Sequence, residues 1–116
     1  MSGAKAVDCE IWHNPRCSKS RAALAWLETR GLVPQVRRYL ETPPDRATLT
    51  AMLSALSLPP SGLLRPREGA GLRSQPEAAI LEALLADPSL IERPVVRLGA
   101  RAVIARPAEA IIPLLG

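Results

Sequence analysis

Val7-Asp8-Cys9-Glu10-Ile11-Trp12 alternates apolar and polar residues, the period of a half-buried strand. A short polar bridge follows, and from Ser18 to Arg30 the residues Ala22, Ala23, Trp26 and Leu27 recur at helical spacing. Gly31 is a natural helix stop. A strand that hands over to a helix through His13-Asn14-Pro15-Arg16-Cys17 is the strongest constraint on this chain. It demands a β–α unit at the outset and sets one cysteine at a helix start, where unpaired backbone N–H groups and a partial positive charge gather.

Val33 to Leu40 reads as a second strand around Val36 and Tyr39. Glu41-Thr42-Pro43-Pro44-Asp45 opens a helix, with Thr42 as the cap of a T-x-x-D box. Leu49, Met52, Leu53 and Leu56 form that helix's apolar stripe, and Pro59-Pro60 ends it. Ser61 to Arg73 is glycine-rich and irregular, fitting either a mobile lid across Gly62–Gly71 or a short helix plus loop. Ser74-Gln75-Pro76-Glu77 reads as another capping box, and Ile80, Leu81, Leu84 and Leu85 as the buried side of the helix behind it, closed by Asp87-Pro88. Two short strands, Pro94 to Arg97 and Arg101 to Ile104, form a hairpin around Leu98-Gly99-Ala100. A last helix starts near Pro107 and is limited by Pro113. The order β-α-β-α-loop-α-β-β-α predicts an α/β domain over residues 1–116: one mixed sheet flanked by helices, in the thioredoxin-like arrangement.

Composition narrows the function classes. With 116 residues the chain holds one compact core. No apolar run reaches the roughly 18 residues of a membrane span, and Met1 to Lys5 lacks the apolar region of a secretory signal, so a cytoplasmic protein without a membrane partner is expected. Two cysteines make no disulfide scaffold, and a single histidine makes no metal cluster. The net charge is +4, and all but Lys5 and Lys19 of the fifteen basic residues are arginine. These arginines are scattered, and with only Trp12, Trp26 and Tyr39 as aromatics there is no base-stacking platform, which argues against nucleic acid. Arginine's fork suits a small tetrahedral anion better than lysine does.

Cys17 is the candidate nucleophile. A helix start with Arg16, Lys19 and Arg21 nearby lowers a cysteine pKa and favours the thiolate. Asn14 and Pro15 before it, and Ser18, Ser20 and Arg21 after it, make a polar turn suited to an anion, so Asn14 joins the anion-binding candidates. Ser20 stands where a C-x-x-C motif has its second cysteine, and its hydroxyl is positioned to donate to the thiolate. Cys9, the other candidate for a resolving thiol, shares the parity of Ile11 and reads as a buried core residue. The chemistry therefore needs an external thiol. His13, four residues before Cys17, fits two roles: influencing the thiolate, or holding the loop by backbone bonds. Arg65-Pro66, Arg93-Pro94 and Arg106-Pro107 each fall at an element junction, where proline fixes the direction of the arginine before it. Three guanidinium groups converging on Cys17 would bind an oxyanion; three exposed arginines in an arginine-rich chain would leave the same pattern.

His13-Asn14-Pro15-Arg16-Cys17-Ser18-Lys19-Ser20-Arg21, Tyr39-Leu40-Glu41-Thr42-Pro43-Pro44, Leu63-Leu64-Arg65, Glu92-Arg93-Pro94-Val95-Val96 and Arg106-Pro107 resemble, in order, the glutaredoxin-linked branch of the arsenate reductase family. The resemblance covers about residues 10 to 115. It implies a thioredoxin-like fold with an inserted helical segment, and attack of Cys17 on arsenate with assistance from His13 and Ser20. It further implies that Arg65, Arg93 and Arg106 bind the oxyanion and that Pro94 is cis. Glutathione would be a co-substrate and glutaredoxin a partner, with no tightly bound cofactor and a monomeric protein. The stretch from Arg65 to Ser74 is shorter than the family's usual one, and the chain has no basic tail. Two alternatives stand beside this reading: a glutathione-linked thiol–disulfide oxidoreductase without arsenate specificity, and a regulator like the family's RNA-polymerase-binding branch. The latter is marked by C-x-x-C, which Ser20 interrupts.

Overall fold

The computed structural model describes residues 8–115; the predicted strand start at Val7, the Met1 to Lys5 segment and Gly116 lie outside them. Four strands form the sheet: β1 (Cys9–Trp12), β2 (Gln35–Arg37), β3 (Val95–Leu98) and β4 (Arg101–Ile104), in the order β2-β1-β3-β4. β2 runs parallel to β1, pairing Ile11 with Val36, while β3 runs antiparallel to β1 and β4 antiparallel to β3. Among the described residues the α-helices are α1 (Ser18–Thr29), α2 (Arg46–Leu56), α3 (Glu77–Ala86) and α4 (Ile112–Leu115). A mixed four-stranded sheet with a βαβ start, a hairpin end and an inserted pair of helices is the thioredoxin-like fold read from the sequence.

Side-chain alternation divides the core. Cys9 and Ile11 of β1 and Val96 of β3 face Ala23 and Leu27 of α1 and the buried Ile111. Trp12 and Val95 point the other way, into Leu49, Met52 and Leu53 of α2 and Ile80 and Leu84 of α3. Cys9 is fully buried, and that burial pushes its thiol pKa up. It opens β1, whereas Cys17 lies beyond the other end of the strand.

Local signals were displaced where tertiary contacts prevailed. α2 is capped by Asp45, whose carboxylate accepts from Thr48 N–H at 2.8 Å, so Thr42 is not its cap. It ends before Pro59-Pro60, at Ser57, which adopts φ 56°. Ser74 does not cap α3 either: Pro76 precedes the helix, and Glu77 reaches instead to Ser61, accepting from its N–H and its hydroxyl. The predicted second strand shrinks to Gln35–Arg37, with Val36 47% exposed on the sheet edge. Tyr39 leaves the strand and enters the core. Ala22 is exposed and Trp26 half-buried under the Arg30 guanidinium, so the buried stripe of α1 is Ser20, Ala23 and Leu27. Pro113 lies within α4 rather than limiting it. The irregular Ser61 to Arg73 stretch contains two 3₁₀ turns, Pro60–Leu63 and Ala70–Leu72, and a bridge between Leu64 and Ile91 fastens it to the segment before β3. No helix among the described residues is long and apolar enough to cross a membrane.

Candidate active site

The site is built where β1 ends. His13 N–H donates to the Arg37 carbonyl at 2.8 Å, extending the β1–β2 pairing by one bond. The chain then turns: Cys17 N–H donates to the Asn14 carbonyl at 2.9 Å, and Asn14 Oδ1 accepts from Arg16 N–H at 3.0 Å. Arg21 Nη1 closes the turn from α1 by donating to the Pro15 carbonyl at 2.9 Å. Asn14 thus uses its side-chain oxygen to shape the loop. Cys17 occupies the N-cap position of α1, with extended backbone, no capping hydrogen bond from its side chain and a partly exposed thiol, so its sulfur lies at the positive end of the helix.

Burial alone would push the Cys17 thiol up. The Ser20 N–H, the Arg93 guanidinium and the Lys19 N–H outweigh it, and the net pKa lies below that of an ordinary thiol. Ser20 therefore acts on the sulfur through its backbone. Its buried hydroxyl is engaged elsewhere: it shares a 2.6 Å hydrogen bond with His13 Nδ1 and accepts from Asn14 N–H at 3.0 Å. Burial, helped by the Arg38 and Arg21 charges, lowers the His13 pKa, so the imidazole is neutral near neutral pH.

The three Arg-Pro junctions are brought to one end of the sheet but do different things. Arg93 is the guanidinium that draws the Cys17 pKa down. Its Nε and Nη1 are buried with no hydrogen-bond partner, donors that gain most from an anion. Arg106 Nη1 donates to the Arg93 carbonyl at 3.1 Å and lies 3.6 Å from Glu92 Oε1. Arg65 Nη2 lies 2.6 Å from Glu68 Oε2. Arg65 and Arg106 line one cavity of about 320 Å³ together with Pro66, Arg67, Glu68 and Glu92. Arg65 and Arg106 are thus each paired with a carboxylate of the cavity they share. The Arg93–Pro94 bond is cis, and so is Arg106–Pro107.

Sequence reasoning missed Tyr39 and the two carboxylates. Tyr39 is 1% exposed. Burial raises its phenol pKa, and the charges acting on it are those of Arg93, Arg65, Cys17 and Glu92, which sets its hydroxyl among the site residues. The alternation around Val36 places Tyr39 in a strand, but β2 stops at Arg37; the signal available in the sequence is its place in the Tyr39-Leu40-Glu41-Thr42-Pro43-Pro44 motif. Glu92 and Glu68 each stand within three residues of an Arg-Pro junction, a spacing that suggests a pair but not its geometry.

Residues 12–113 match the ArsC family. The chain is 39% identical over 115 residues to an arsenate reductase of Neisseria meningitidis serogroup A, a match covering 93% of this chain and 98% of that one. An arsenate reductase of Escherichia coli strain K12 is 34% identical over 113 residues, covering 90% of this chain and 79% of the other. Among solved structures, an arsenate reductase from Vibrio cholerae superposes with a TM-score of 0.83 at 38% identity, covering 90% of this chain and 95% of that one.

Proposed function

Because the chain belongs to the ArsC family, we propose that it reduces arsenate to arsenite, with Cys17 as nucleophile and external thiols as reductant. The observation that carries this reading is the pairing of a pKa-lowered Cys17 with the unpartnered, buried donors of Arg93. The thiolate attacks arsenic, a sulfur–arsenic bond forms, and hydroxide leaves with a proton as water. Glutathione then attacks. Its sulfur and that of Cys17 each give one electron to arsenic(V), arsenite departs, and the two sulfurs remain as a mixed disulfide. Glutaredoxin takes the glutathione by thiol–disulfide exchange and restores Cys17.

Arg93 holds substrate oxygens beside the sulfur, and Arg65 and Arg106 close on the remaining ones. Asn14 shapes the loop beneath, and His13 and Ser20 fix its position. Both electrons come from thiols, so the reaction as proposed asks for no resident metal or cofactor. A supply of reduced thiols places it in the cytoplasm, with the protein acting as a monomeric single domain. The test is NADPH oxidation driven by arsenate in the presence of glutathione, glutathione reductase and glutaredoxin. Cys17→Ser should abolish the signal; activity that survives the substitution excludes Cys17 as nucleophile.

A further inference from the structure

The Arg65 guanidinium is already held by a carboxylate, with Nη2 2.6 Å from Glu68 Oε2. The turn Arg65-Pro66-Arg67-Glu68-Gly69 is closed by the Gly69 N–H donating to the Arg65 carbonyl at 2.8 Å. A Cβ at Gly69 would clash with Leu64 Cγ and stand 2.7 Å from the Arg65 oxygen, so the turn has no room for a side chain there. Its start is anchored twice: Arg65 N–H donates to the Leu90 carbonyl at 2.9 Å, and Arg73 Nη2 donates to the carbonyl of the preceding Leu64 at 3.2 Å; at its end the Gly69 carbonyl accepts from Leu72 N–H at 2.9 Å. These bonds hold the backbone, whereas the side-chain pair is half-exposed. The Arg65 side chain is 23% exposed and that of Glu68 41%, both facing the cavity shared with Arg106.

We infer that Glu68 is a resident counter-ion that an incoming oxyanion displaces from Arg65, and thereby a residue that sets the affinity of this site. The inference rests on the oxyanion-binding reading above. A carboxylate and a tetrahedral oxyanion present the same paired oxygens to a guanidinium fork, so the two compete for Arg65. Glu92 is the less suited of the two carboxylates to this role. It also accepts from Arg93 N–H, it is more buried, and its distance to Arg106 is 3.6 Å against 2.6 Å for the Arg65–Glu68 pair. A half-exposed ion pair is weak, so the exchange is easy; its presence still lowers the apparent affinity by a factor of up to about five.

Arsenate titrated calorimetrically into the reduced full chain at low salt tests this, using the native protein, Glu68→Gln, Arg65→Ala and the double variant. Glu68→Gln should bind arsenate about threefold to fivefold more tightly. In the Arg65→Ala background the same change should have no effect. Unchanged or weaker binding in Glu68→Gln overturns the inference and leaves the oxyanion reading standing. Equal tightening in both backgrounds also overturns it, because the carboxylate would then act on the whole cavity rather than through Arg65. Absence of arsenate binding in the native protein would overturn the oxyanion reading together with this one.

Discussion

His13 Nδ1 and Ser20 Oγ lie 2.6 Å apart, a buried hydrogen bond that ties the residue after β1 to the first turn of α1 across the loop that carries Cys17. The same hydroxyl accepts from Asn14 N–H, so one oxygen holds three parts of the turn. Ser20→Ala leaves the Asn14 donor and His13 Nδ1 unsatisfied in a buried place. It should cost about 1–3 kcal/mol in urea denaturation. It should leave the pH profile of Cys17 alkylation almost unmoved, since the Ser20 N–H that acts on the sulfur remains. A profile displaced to higher pH would return the hydroxyl to the thiolate.

The thiolate itself is open to direct measurement. Iodoacetamide trapping of Cys17 against pH should show an inflection below that of an ordinary thiol, because the Ser20 and Lys19 N–H groups and Arg93 outweigh the burial of the sulfur. Arg93→Ala should move the inflection upward. Arg65→Ala should not, because Arg65 is occupied by Glu68 and is not among the groups acting on the sulfur. Equal displacement by both substitutions would mean that the two arginines share the sulfur.

How much of this was legible in the sequence depends on what each residue needed. β1, α1 and the hairpin were, because alternation and helical spacing carry their own burial pattern; Ile11, Ala23, Leu27 and Val96 packed as their parity requires. Gly31 was legible as well: at φ 77° it lets its own N–H reach the Glu28 carbonyl and that of Leu32 reach the Leu27 carbonyl. The cap of α2 was not, because Thr42 and Asp45 both offer an oxygen and only the path of Pro43-Pro44 decides between them. The roles of the three arginines were beyond reach for a deeper reason. Arg65, Arg93 and Arg106 share one local pattern, and what separates them is a carboxylate three residues on, and a sulfur and a carbonyl brought from elsewhere in the fold. Tyr39 illustrates the same limit, since a strand that stops at Arg37 frees it to turn inward.

His13 gives the fold a pH dependence of known sign. Its pKa is lowered in the folded protein, by burial first and then by Arg38 and Arg21. The unfolded chain therefore takes up the proton more readily. The contribution is complete above the ordinary imidazole pKa and is lost as pH falls through that value toward the lower folded one. The slope contributed by one proton is at most about 1.4 kcal/mol per pH unit. Urea midpoints between about pH 7.5 and 5.5, spanning the ordinary imidazole pKa, should fall more steeply for the native protein than for His13→Gln. Parallel curves would mean that the folded protein accommodates the imidazolium.

Gly69 joins fold and site in one position. Its N–H closes the turn on the Arg65 carbonyl, and a Cβ there meets that same oxygen at 2.7 Å and clashes with Leu64 Cγ. The carbonyl is backbone, and Leu64 is buried in the core against its neighbours, so neither yields easily. Gly69→Ala should destabilise by about 1–3 kcal/mol. Because the strain is relieved only by opening the turn, Arg65 and Glu68 should shift together and arsenate affinity should fall as well. Gly71→Ala is the control: nothing lies within 4 Å of a Cβ there, and its effect should stay within about 0.5 kcal/mol. A Gly69→Ala protein with native stability and weakened arsenate binding would separate the turn's geometry from its packing, and would place the loss on Arg65 itself.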